Sequence, residues 1–290
     1  MNNLQGIFLM CLAMAGFALE DMIIKLAAAE IPTGQVVVTL GLIGAGVVGA
    51  IARRQGHRLW SMEGLRGASM IRIPAELLGA ICFVSAITLT PLSSASAILQ
   101  ATPLLVALGG AIFLKERVGW RRWSAILVGL CGVLIIVRPG ASAFEPLSIL
   151  AVLAAIALAT RDLAIKAAPP SLPSAIMAFQ GTLVFGAGGL VLLAIGPPVV
   201  SPTPLVWGYL IIAGFLGVLA YFSIITAIRI ADVALVSPFR YTRLLFALVI
   251  GITVFGERPD ALTYVGAAIV IFSGLYTLYR EQRMRDRAPV

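Results

Sequence analysis

The stretch Glu20-Asp-Met-Ile-Ile-Lys25 returns 141 positions later as Arg161-Asp-Leu-Ala-Ile-Lys166. The same spacing, without a gap, relates further residues of the 290-residue chain. An internal echo of this length predicts a duplicated unit of about 140 residues. The further pairs are Pro32 and Pro173, Ala86-Ile87 and Ala227-Ile228, Ser96 and Ser237, and Glu116-Arg117 and Glu257-Arg258.

The composition indicates that most of the chain lies in lipid. Apolar residues make up 60% of it and charged residues 12%, and the mean hydropathy is +1.02. Soluble domains contain roughly 45–50% apolar and about 25% charged residues. The first apolar stretch, residues 4–28, has no small-residue cleavage site after it, so we expect a retained helix and not a signal peptide.

Ten apolar windows are long enough to cross a membrane, which takes about 20 residues. Very short connectors, such as residues 30–32 and 90–92, predict antiparallel neighbours. Each copy holds five windows, an odd number, so we expect an all-α membrane protein of two inverted five-helix repeats, 1–141 and 142–280, with a basic tail, 281–290. The windows are 4–28, 33–53, 69–89, 93–114, 120–137, 146–167, 174–195, 205–229, 233–255 and 261–280.

Lysine and arginine are unevenly divided between the two predicted membrane faces. With the N-terminus inside, 15 of them fall in inner loops, helix ends and the tail, against two, Arg138 and Arg258, outside. Cytoplasmic loops carry such an excess, so we expect both termini in the cytoplasm. The net charge of +8 then needs no nucleic-acid partner. The inner residues are Arg53, Arg54, Arg58, Arg66, Arg72, Lys115, Arg117, Arg121, Arg122, Lys166, Arg229, Arg280, Arg283, Arg285 and Arg287.

The chain lacks the residue sets used in catalysis, ATP hydrolysis and metal binding. It has no Gly-Lys dipeptide and hence no phosphate-binding loop. Its single histidine, His57, and three scattered cysteines do not make a zinc site. The cysteines fall in apolar windows, where we expect no disulfide. We expect no enzyme activity, no cofactor and no metal.

A charge at the centre of a membrane helix costs roughly 2.5–3.5 kcal/mol and usually faces a bundle interior or a wet cavity. Glu20 and Arg161 occupy equivalent positions with opposite charge. They are candidates for the outer and inner approaches to one cavity, and a role in local networks fits equally well. Asp21 and Lys25 are four residues apart, as are their counterparts, so each pair can form along one helix face, as a structural pair or as part of a gate.

Two further polar positions lie near the predicted midplane. Gln100 and Tyr241 are equivalent, and both cavity lining and ordinary interhelical hydrogen bonding fit them. Pro103 removes a backbone donor inside its window, which predicts a helix kink there.

Glu76 is the best single candidate for a protonatable group. Its counterpart is Gly217, so the repeat does not explain it. We expect it to be held neutral, to face a cavity, or to pair with Arg240 or Arg243.

Aromatic residues at helical spacing offer a further surface at membrane depth. Phe17, Phe83, Tyr221 and Phe222 can pack the bundle or line a cavity that binds apolar or cationic groups.

Small residues recur every four positions on the second window. Gly41, Ala45 and Gly49 share a helix face, and such faces let two helices approach closely.

On several motifs the chain resembles the EamA branch of the drug/metabolite transporter superfamily. In the second copy these are Ala220-Tyr221-Phe222 through Ala227-Ile228-Arg229, Ala231-Asp232-Val233-Ala234 and Gly256-Glu257-Arg258. In the first copy they are Gln100-Ala-Thr-Pro103 and Lys115-Glu116-Arg117. The chain departs from the family where Lys115 replaces glycine, Leu244 replaces proline, and Gly16-Phe17 replaces Trp-Gly.

The resemblance covers nearly the whole chain. It implies a secondary transporter in a bacterial inner membrane, with the first, third, fourth, sixth, eighth and ninth helices around a central cavity. It also suggests a YddG-like exporter of amino acids, with Glu76 and Arg240 or Gln100 as partners of the amine and the carboxylate. The alternatives are another cargo, such as a vitamin, nucleoside derivative or drug cation, and a non-transporting membrane protein. The expected partners are a small-molecule substrate and membrane lipids.

Overall fold

Long apolar helices make up most of the computed structural model, which describes residues 3–57, 59, 66–114, 119–138, 145–169, 171–231 and 236–285. Within these ranges the structure contains helices and loops and no β-strand. A 3-10 helix, Ser237–Tyr241, directly precedes α10. The α-helices are α1 (Asn3–Ala28), α2 (Thr33–Arg54), α3 (Ser69–Leu89), α4 (Leu92–Leu99), α5 (Thr102–Phe113), α6 (Trp120–Val137), α7 (Ser148–Lys166), α8 (Ser174–Ile195), α9 (Pro204–Ile230), α10 (Thr242–Thr253) and α11 (Ala261–Arg285).

Eight spans in the described ranges are long and apolar enough to cross a membrane, and one shorter apolar helix, Trp123–Val137, accompanies them. The chain is therefore an all-helical integral membrane protein. Eight of the ten predicted windows agree closely with single helices, except that α11 continues past residue 280 to Arg285. The window 93–114 is divided between α4 and α5, and the window 233–255 contains the 3-10 helix and α10. The echoed Glu116-Arg117 and the motif residues 115 and 232–234 lie outside the described ranges. The spans are Leu4–Ala28, Thr33–Arg54, Ser69–Leu89, Leu92–Phe113, Ser148–Lys166, Ala175–Ile195, Pro204–Ile224 and Ala261–Arg280.

The spacing of 141 residues reappears in the helix bounds. α2 (33–54) and α8 (174–195) begin and end at equivalent positions, and α6 and α11 begin at the equivalent residues 120 and 261. The most extensive contacts join α2 to α8, α1 to α9, α3 to α7 and α6 to α11. Since α7, α8, α9 and α11 are the counterparts of α1, α2, α3 and α6, the pattern is unchanged when the two copies are exchanged. The main apolar core is shared by both copies and includes Ile24, Val36, Ile87, Leu210 and Leu244.

The contact between α2 and α8 depends on residues without bulky side chains. Gly34 lies against Leu193, Gly41 against Gly186, and Gly49 against the ring of Phe179. As the residue number increases along α2, the number of the contacting residue on α8 decreases, so the two helices are antiparallel. A Cβ added at Gly41 would lie 2.4 Å from the Cα of Gly186, which is closer than atoms can approach. The small-residue face of α2 is thus a close helix–helix contact.

The contact between α6 and α11 has the same form. Gly132 lies against Gly266, and Gly129 lies against Ser273. A Cβ added at Gly266 would come within 2.7 Å of the carbonyl oxygen of Gly132. This second pair of equivalent helices is also antiparallel.

Two spans are interrupted near their middle. α4 ends at Leu99 and α5 begins at Thr102. Pro103 stands in the first turn of α5, where its missing N–H costs no hydrogen bond. In the second copy, Leu244 occupies the equivalent position, and the 3-10 helix changes to α-helix at Thr242. The second interruption therefore does not require a proline at the position equivalent to Pro103, although Pro238 stands in the first turn of its 3-10 helix.

Glu257 caps the N-terminus of α4. Its Oε1 accepts from the backbone N–H of Leu92 at 2.6 Å, and its Oε2 accepts from the N–H of Ser93 at 2.9 Å and from the Ser93 hydroxyl at 2.6 Å. Lys25 donates to Glu257 Oε1 at 3.4 Å and to the carbonyl of Thr90 at 2.6 Å. The unpaired N–H groups and dipole of a helix start favour a carboxylate. The contact ties α1, α4 and the end of α10 together.

Asp260 caps α11 and connects it to the end of α6. Its Oδ1 accepts from the backbone N–H of Thr263 at 2.9 Å and from the Thr263 hydroxyl at 2.7 Å. The Arg138 guanidinium donates to the same carboxylate. The hydrogen bonds from Arg138 and Thr263 hold the pKa of Asp260 below its usual range.

We expect Gly41→Leu to destabilise the protein by about 1–3 kcal/mol, because overpacking a close contact forces the backbones apart. Gly46→Leu is the matched control, since a Cβ at Gly46 would meet nothing within 4 Å. Thermal unfolding of the purified variants in detergent measures both effects. Equal unfolding temperatures for the two variants would contradict the close contact.

We expect Asp260→Ala to lower the unfolding temperature at pH 7, because loss of an N-cap costs about 0.5–2 kcal/mol. A carboxylate with a lowered folded pKa stabilises above its ordinary pKa and loses that effect as the pH falls through the folded value. The gap between wild type and Asp260→Ala should therefore narrow below about pH 4. Thermal unfolding measured from pH 7 down to pH 3 tests this, and a gap that widens in acid contradicts it.

Candidate functional site

Among the described residues, eight acidic and arginine side chains belong to α1, α3, α7, the 3-10 helix and α10. Four are acids and four are arginines, so their formal charges cancel. Buried charges need pairing or hydration, since transfer of an isolated charge from water is very costly. The partner of each one therefore determines its role. They are Glu20 and Asp21 on α1, Arg72 and Glu76 on α3, Arg161 and Asp162 on α7, Arg240 in the 3-10 helix and Arg243 on α10.

Glu76 is the centre of a network between α3 and α7. Its Oε1 accepts from Arg161 Nη1 at 3.2 Å, and its Oε2 lies 4.0 Å from Arg72 Nη1. Arg161 also donates from Nε and Nη2 to Asp162 Oδ1, at 2.9 and 2.8 Å. The predicted pairing of Glu76 with Arg240 or Arg243 is wrong, because the α3–α7 contact brings Arg161 closer.

Arg72, which was counted with the inner loops and helix ends, lies in the first turn of α3 and belongs to this network. It is 1% exposed, because it lies one turn inside α3 and is covered by α8. Its Nη1 donates to the carbonyl of Met177 at 3.2 Å, and its Nη2 donates to Gln180 Oε1 at 2.5 Å. The sequence signal was present, since Arg72 falls inside the apolar window 69–89. Nothing in the sequence pointed to Gln180.

A second network joins α1 to α10. Arg243 donates to Asp21 Oδ2 from Nη2 at 2.7 Å and from Nε at 3.3 Å. The Asp21 side chain is only 3% exposed. The rings of Phe17 and Phe83 lie 5.3 and 5.5 Å from the guanidinium carbon, within the range of cation–π attraction. Both phenylalanines, predicted as packing or cavity residues, thus contact this ion pair.

Asp21 and Lys25 do not pair with each other, which corrects the prediction from their spacing. Asp21 binds Arg243, and Lys25 binds Glu257. The contacts of α1 with α10 and with the start of α4 offer both side chains partners on other helices. The two charges therefore fasten α1 to its neighbours.

Glu20 and Arg240 differ from the other six charges. Within the described ranges neither side chain has a hydrogen bond or an ion pair. Glu20 is partly exposed and lies against Gly217 of α9, and Arg240 is exposed. The backbone carbonyl of Arg240 accepts a long hydrogen bond, 3.4 Å, from Gln100 Nε2, which links the two interrupted spans.

The predicted tyrosines lie in different surroundings. Tyr241 is 5% exposed, with its hydroxyl against the backbone of Gly274 on α11, so it packs against α11 away from the charges. Tyr221 and Phe222 are each 36% exposed and make an edge-on ring contact, with centroids 6.2 Å apart. Tyr221 lies near enough to Arg161 for electrostatic interaction.

A membrane bundle that gathers balanced charges from both copies in its interior has the features of a solute transporter. The model of the EamA-like transporter family matches residues 4–138 and, separately, residues 146–279. The chain belongs to this family.

Bacterial relatives of the chain are also transporters. A riboflavin transporter of Vibrio cholerae is 29% identical over 99% of this chain and 97% of its own length. An S-adenosylmethionine uptake transporter of Rickettsia conorii is 28% identical over 69% of this chain and 68% of its own. A pseudopaline exporter of Pseudomonas aeruginosa is 26% identical over 92% and 93%, respectively. A crystal structure with 19% identity and a TM-score of 0.59 over 99% of this chain and 98% of its own shares the fold.

The relatives narrow what the sequence suggested. They support a transporter of the drug/metabolite superfamily, and their names do not indicate an enzyme. They do not support the YddG-like amino-acid exporter subtype, since they are named for other solutes and for both directions of transport.

We expect Glu76→Gln to lower the stability by about 1–3 kcal/mol, because it leaves the Arg161 and Arg72 guanidinium groups without their shared carboxylate. Glu30→Gln, at an exposed position, is the matched control. A double-mutant cycle with Arg161→Gln should give a coupling energy of about 0.5–3 kcal/mol, as for contacting residues generally. Thermal unfolding in detergent supplies all four values, and additive effects would show that the pair contributes nothing.

Proposed function

We propose that the chain is a secondary transporter that moves small organic solutes across a bacterial inner membrane by alternating access. The observation that carries this proposal is the set of charges on α1, α3, α7, the 3-10 helix and α10. Two of them, Glu20 and Arg240, have no partner among the residues that the structure describes. Transporter substrate sites lie near the midplane where two repeats meet. As a secondary transporter it uses the gradient of an ion or of a solute, and not its own hydrolysis of ATP, as the driving force.

The proposed architecture is ten spans in two inverted five-helix repeats, 1–141 and 142–280, with both termini cytoplasmic. The antiparallel contacts of α2 with α8 and of α6 with α11 support it, because equivalent helices can run in opposite directions only if the repeats are inverted. The interrupted span formed by the 3-10 helix and α10 completes the ten. The excess of inner lysine and arginine supports the orientation.

The cap on α4 has a role in this scheme. In the proposed orientation Lys25, Glu257 and the start of α4 lie on the outer side, and their contacts hold the outer ends of both repeats together. The outer side can open only when some of these contacts break. Inverted repeats let each repeat take up the conformation of the other, which is how one site becomes open to each side in turn.

For the cargo we propose amino acids or compounds that contain an amino-acid group. The paired and unpaired charges in the bundle favour a solute that has charges of its own. S-adenosylmethionine, the cargo named for the Rickettsia conorii relative, contains such a group. Riboflavin, named for the Vibrio cholerae relative, has no charged group and supports a vitamin as the second candidate. A secondary transporter is reversible, so the direction follows the gradients.

Counterflow into proteoliposomes tests the proposal. Liposomes loaded with an unlabelled solute should take up the same labelled solute faster than protein-free liposomes do. The panel consists of the amino acids, S-adenosylmethionine and riboflavin. Uptake of amino acids confirms the proposed cargo, and uptake of riboflavin alone confirms transport with the second cargo. Uptake of no solute above the protein-free level, from protein that is folded by thermal unfolding, contradicts the transport function.

A further inference from the structure

The two copies differ at one contact that the repeat makes equivalent. Position 161 on α7 faces position 76 on α3, and the equivalent positions 20 on α1 and 217 on α9 also face each other. The first contact is an ion pair, with Arg161 Nη1 3.2 Å from Glu76 Oε1. In the second, the acid is Glu20 and the facing residue is Gly217, which has no side chain. The contact thus contains an acid without the cation that its counterpart has.

The geometry shows that α9 does not supply this cation. A Cβ on Gly217 would lie 2.5 Å from Glu20 Oε1 and 2.9 Å from Oε2, so the carboxylate lies directly on the helix backbone. Among the described residues, the charges that act on Glu20 are Asp21, which repels it, and Arg243, which already binds Asp21 at 2.7 Å. Glu20 is partly exposed. Its free carboxylate can therefore accept a cation that comes from outside the chain.

Arg240 is a cation without an acidic partner among the described residues, as Glu20 is an acid without a cation. Its side chain is exposed although its 3-10 helix contacts α1, α10 and α11. The acid that attracts it most is Asp162, whose carboxylate already accepts two hydrogen bonds from Arg161. Arg240 therefore presents a planar guanidinium that is free to bind a carboxylate in bidentate geometry.

Arg243 lies near Arg240 in the chain and binds the neighbour of Glu20. Arg240 and Arg243 are three residues apart across the junction of the 3-10 helix and α10, and side chains at this spacing share a helix face. Arg243 in turn binds Asp21, the neighbour of Glu20 in the chain. Glu20 and Arg240 are thus each within three residues of a member of the Arg243–Asp21 ion pair, and the 3-10 helix that contains Arg240 contacts α1.

We propose that Glu20 binds the ammonium group and Arg240 the carboxylate of a zwitterionic, amino-acid-like solute. This inference rests on the transport function proposed above and assigns the chemistry of its binding site. A zwitterion gives both free charges a partner and leaves the site neutral. A solute with only one charged group leaves the opposite protein charge unpaired in a site of low dielectric, which is unfavourable.

The test measures inhibition of counterflow by methionine and two analogues that each lack one charged group. 3-(Methylthio)propylamine lacks the carboxylate, and 4-(methylthio)butanoate lacks the ammonium. The labelled solute is the one that wild type carries in the panel above. Glu20→Gln and Arg240→Gln are compared with wild type, and the exposed Glu30→Gln and Arg54→Gln are the matched controls. Thermal unfolding verifies that each variant is folded.

In wild type, methionine should inhibit at least tenfold better than either analogue. Glu20→Gln should weaken inhibition by methionine about tenfold or more and leave inhibition by the butanoate unchanged, since that analogue has no ammonium to lose. Arg240→Gln should weaken inhibition by methionine to a similar extent and leave inhibition by the propylamine unchanged, since that analogue has no carboxylate to lose. The two control variants should match wild type.

Other outcomes separate this inference from the transport function. If both variants weaken inhibition by methionine and by the two analogues to the same extent, the residues act structurally and the assignment of Glu20 and Arg240 to the binding site is wrong. If wild type carries riboflavin and methionine does not inhibit this counterflow, the transport function is supported and the proposed zwitterion site is wrong. If wild type carries no solute, the transport function itself fails. Where Glu20→Gln unfolds, Glu20→Asp provides the measurement, with a smaller loss expected for methionine alone.

Discussion

The cost of a charge in a low-dielectric interior is the constraint on which the rest of this structure depends. Each acid or arginine at membrane depth must find a partner or water. Arg161, Glu76 and Arg72 join α3 to α7 and α8, and Arg243 and Asp21 join α10 to α1. These pairs join helices in the interior and leave Glu20 and Arg240 without a partner among the described residues.

Close backbone contact is the second element that holds the bundle together. Lipid tails are as apolar as leucine, so membrane helices associate through packing and not through the hydrophobic effect. Glycines let α2 approach α8, and α6 approach α11, until their backbones touch. Both contacts join equivalent helices of the two copies. The ion pairs of Glu76 and Asp21 lie on other helices: Arg161 of α7 binds Glu76 of α3, and Arg243 of α10 binds Asp21 of α1.

The proposed solute binding depends on positions at which the two copies carry different residues. Duplication alone would give two equal copies with the same pair of residues at both equivalent contacts between them. Divergence has put Arg161 opposite Glu76 at one of these contacts and Glu20 opposite Gly217 at the other. It has also put Arg243 where the first copy has Thr102, so that Asp21 and Asp162 bind different arginines. A site for an asymmetric solute needs such a difference, because a symmetric pair of halves would offer each end of the solute the same surroundings.

The membrane class, most of the helix bounds and the duplicated plan could be predicted from the sequence alone, because apolar length and residue spacing are local properties of the chain. The sequence also identified Glu20, Glu76, Arg161 and Arg240 as notable, since a charge inside an apolar window is visible without a structure. Only the tertiary structure decided the partners. Asp21 binds Arg243, 222 positions away, where the sequence offered Lys25, and Arg72 reaches Gln180 across a helix contact. Ion pairs between helices depend on which faces meet, and that is fixed by packing over the whole bundle, which no single stretch of residues encodes.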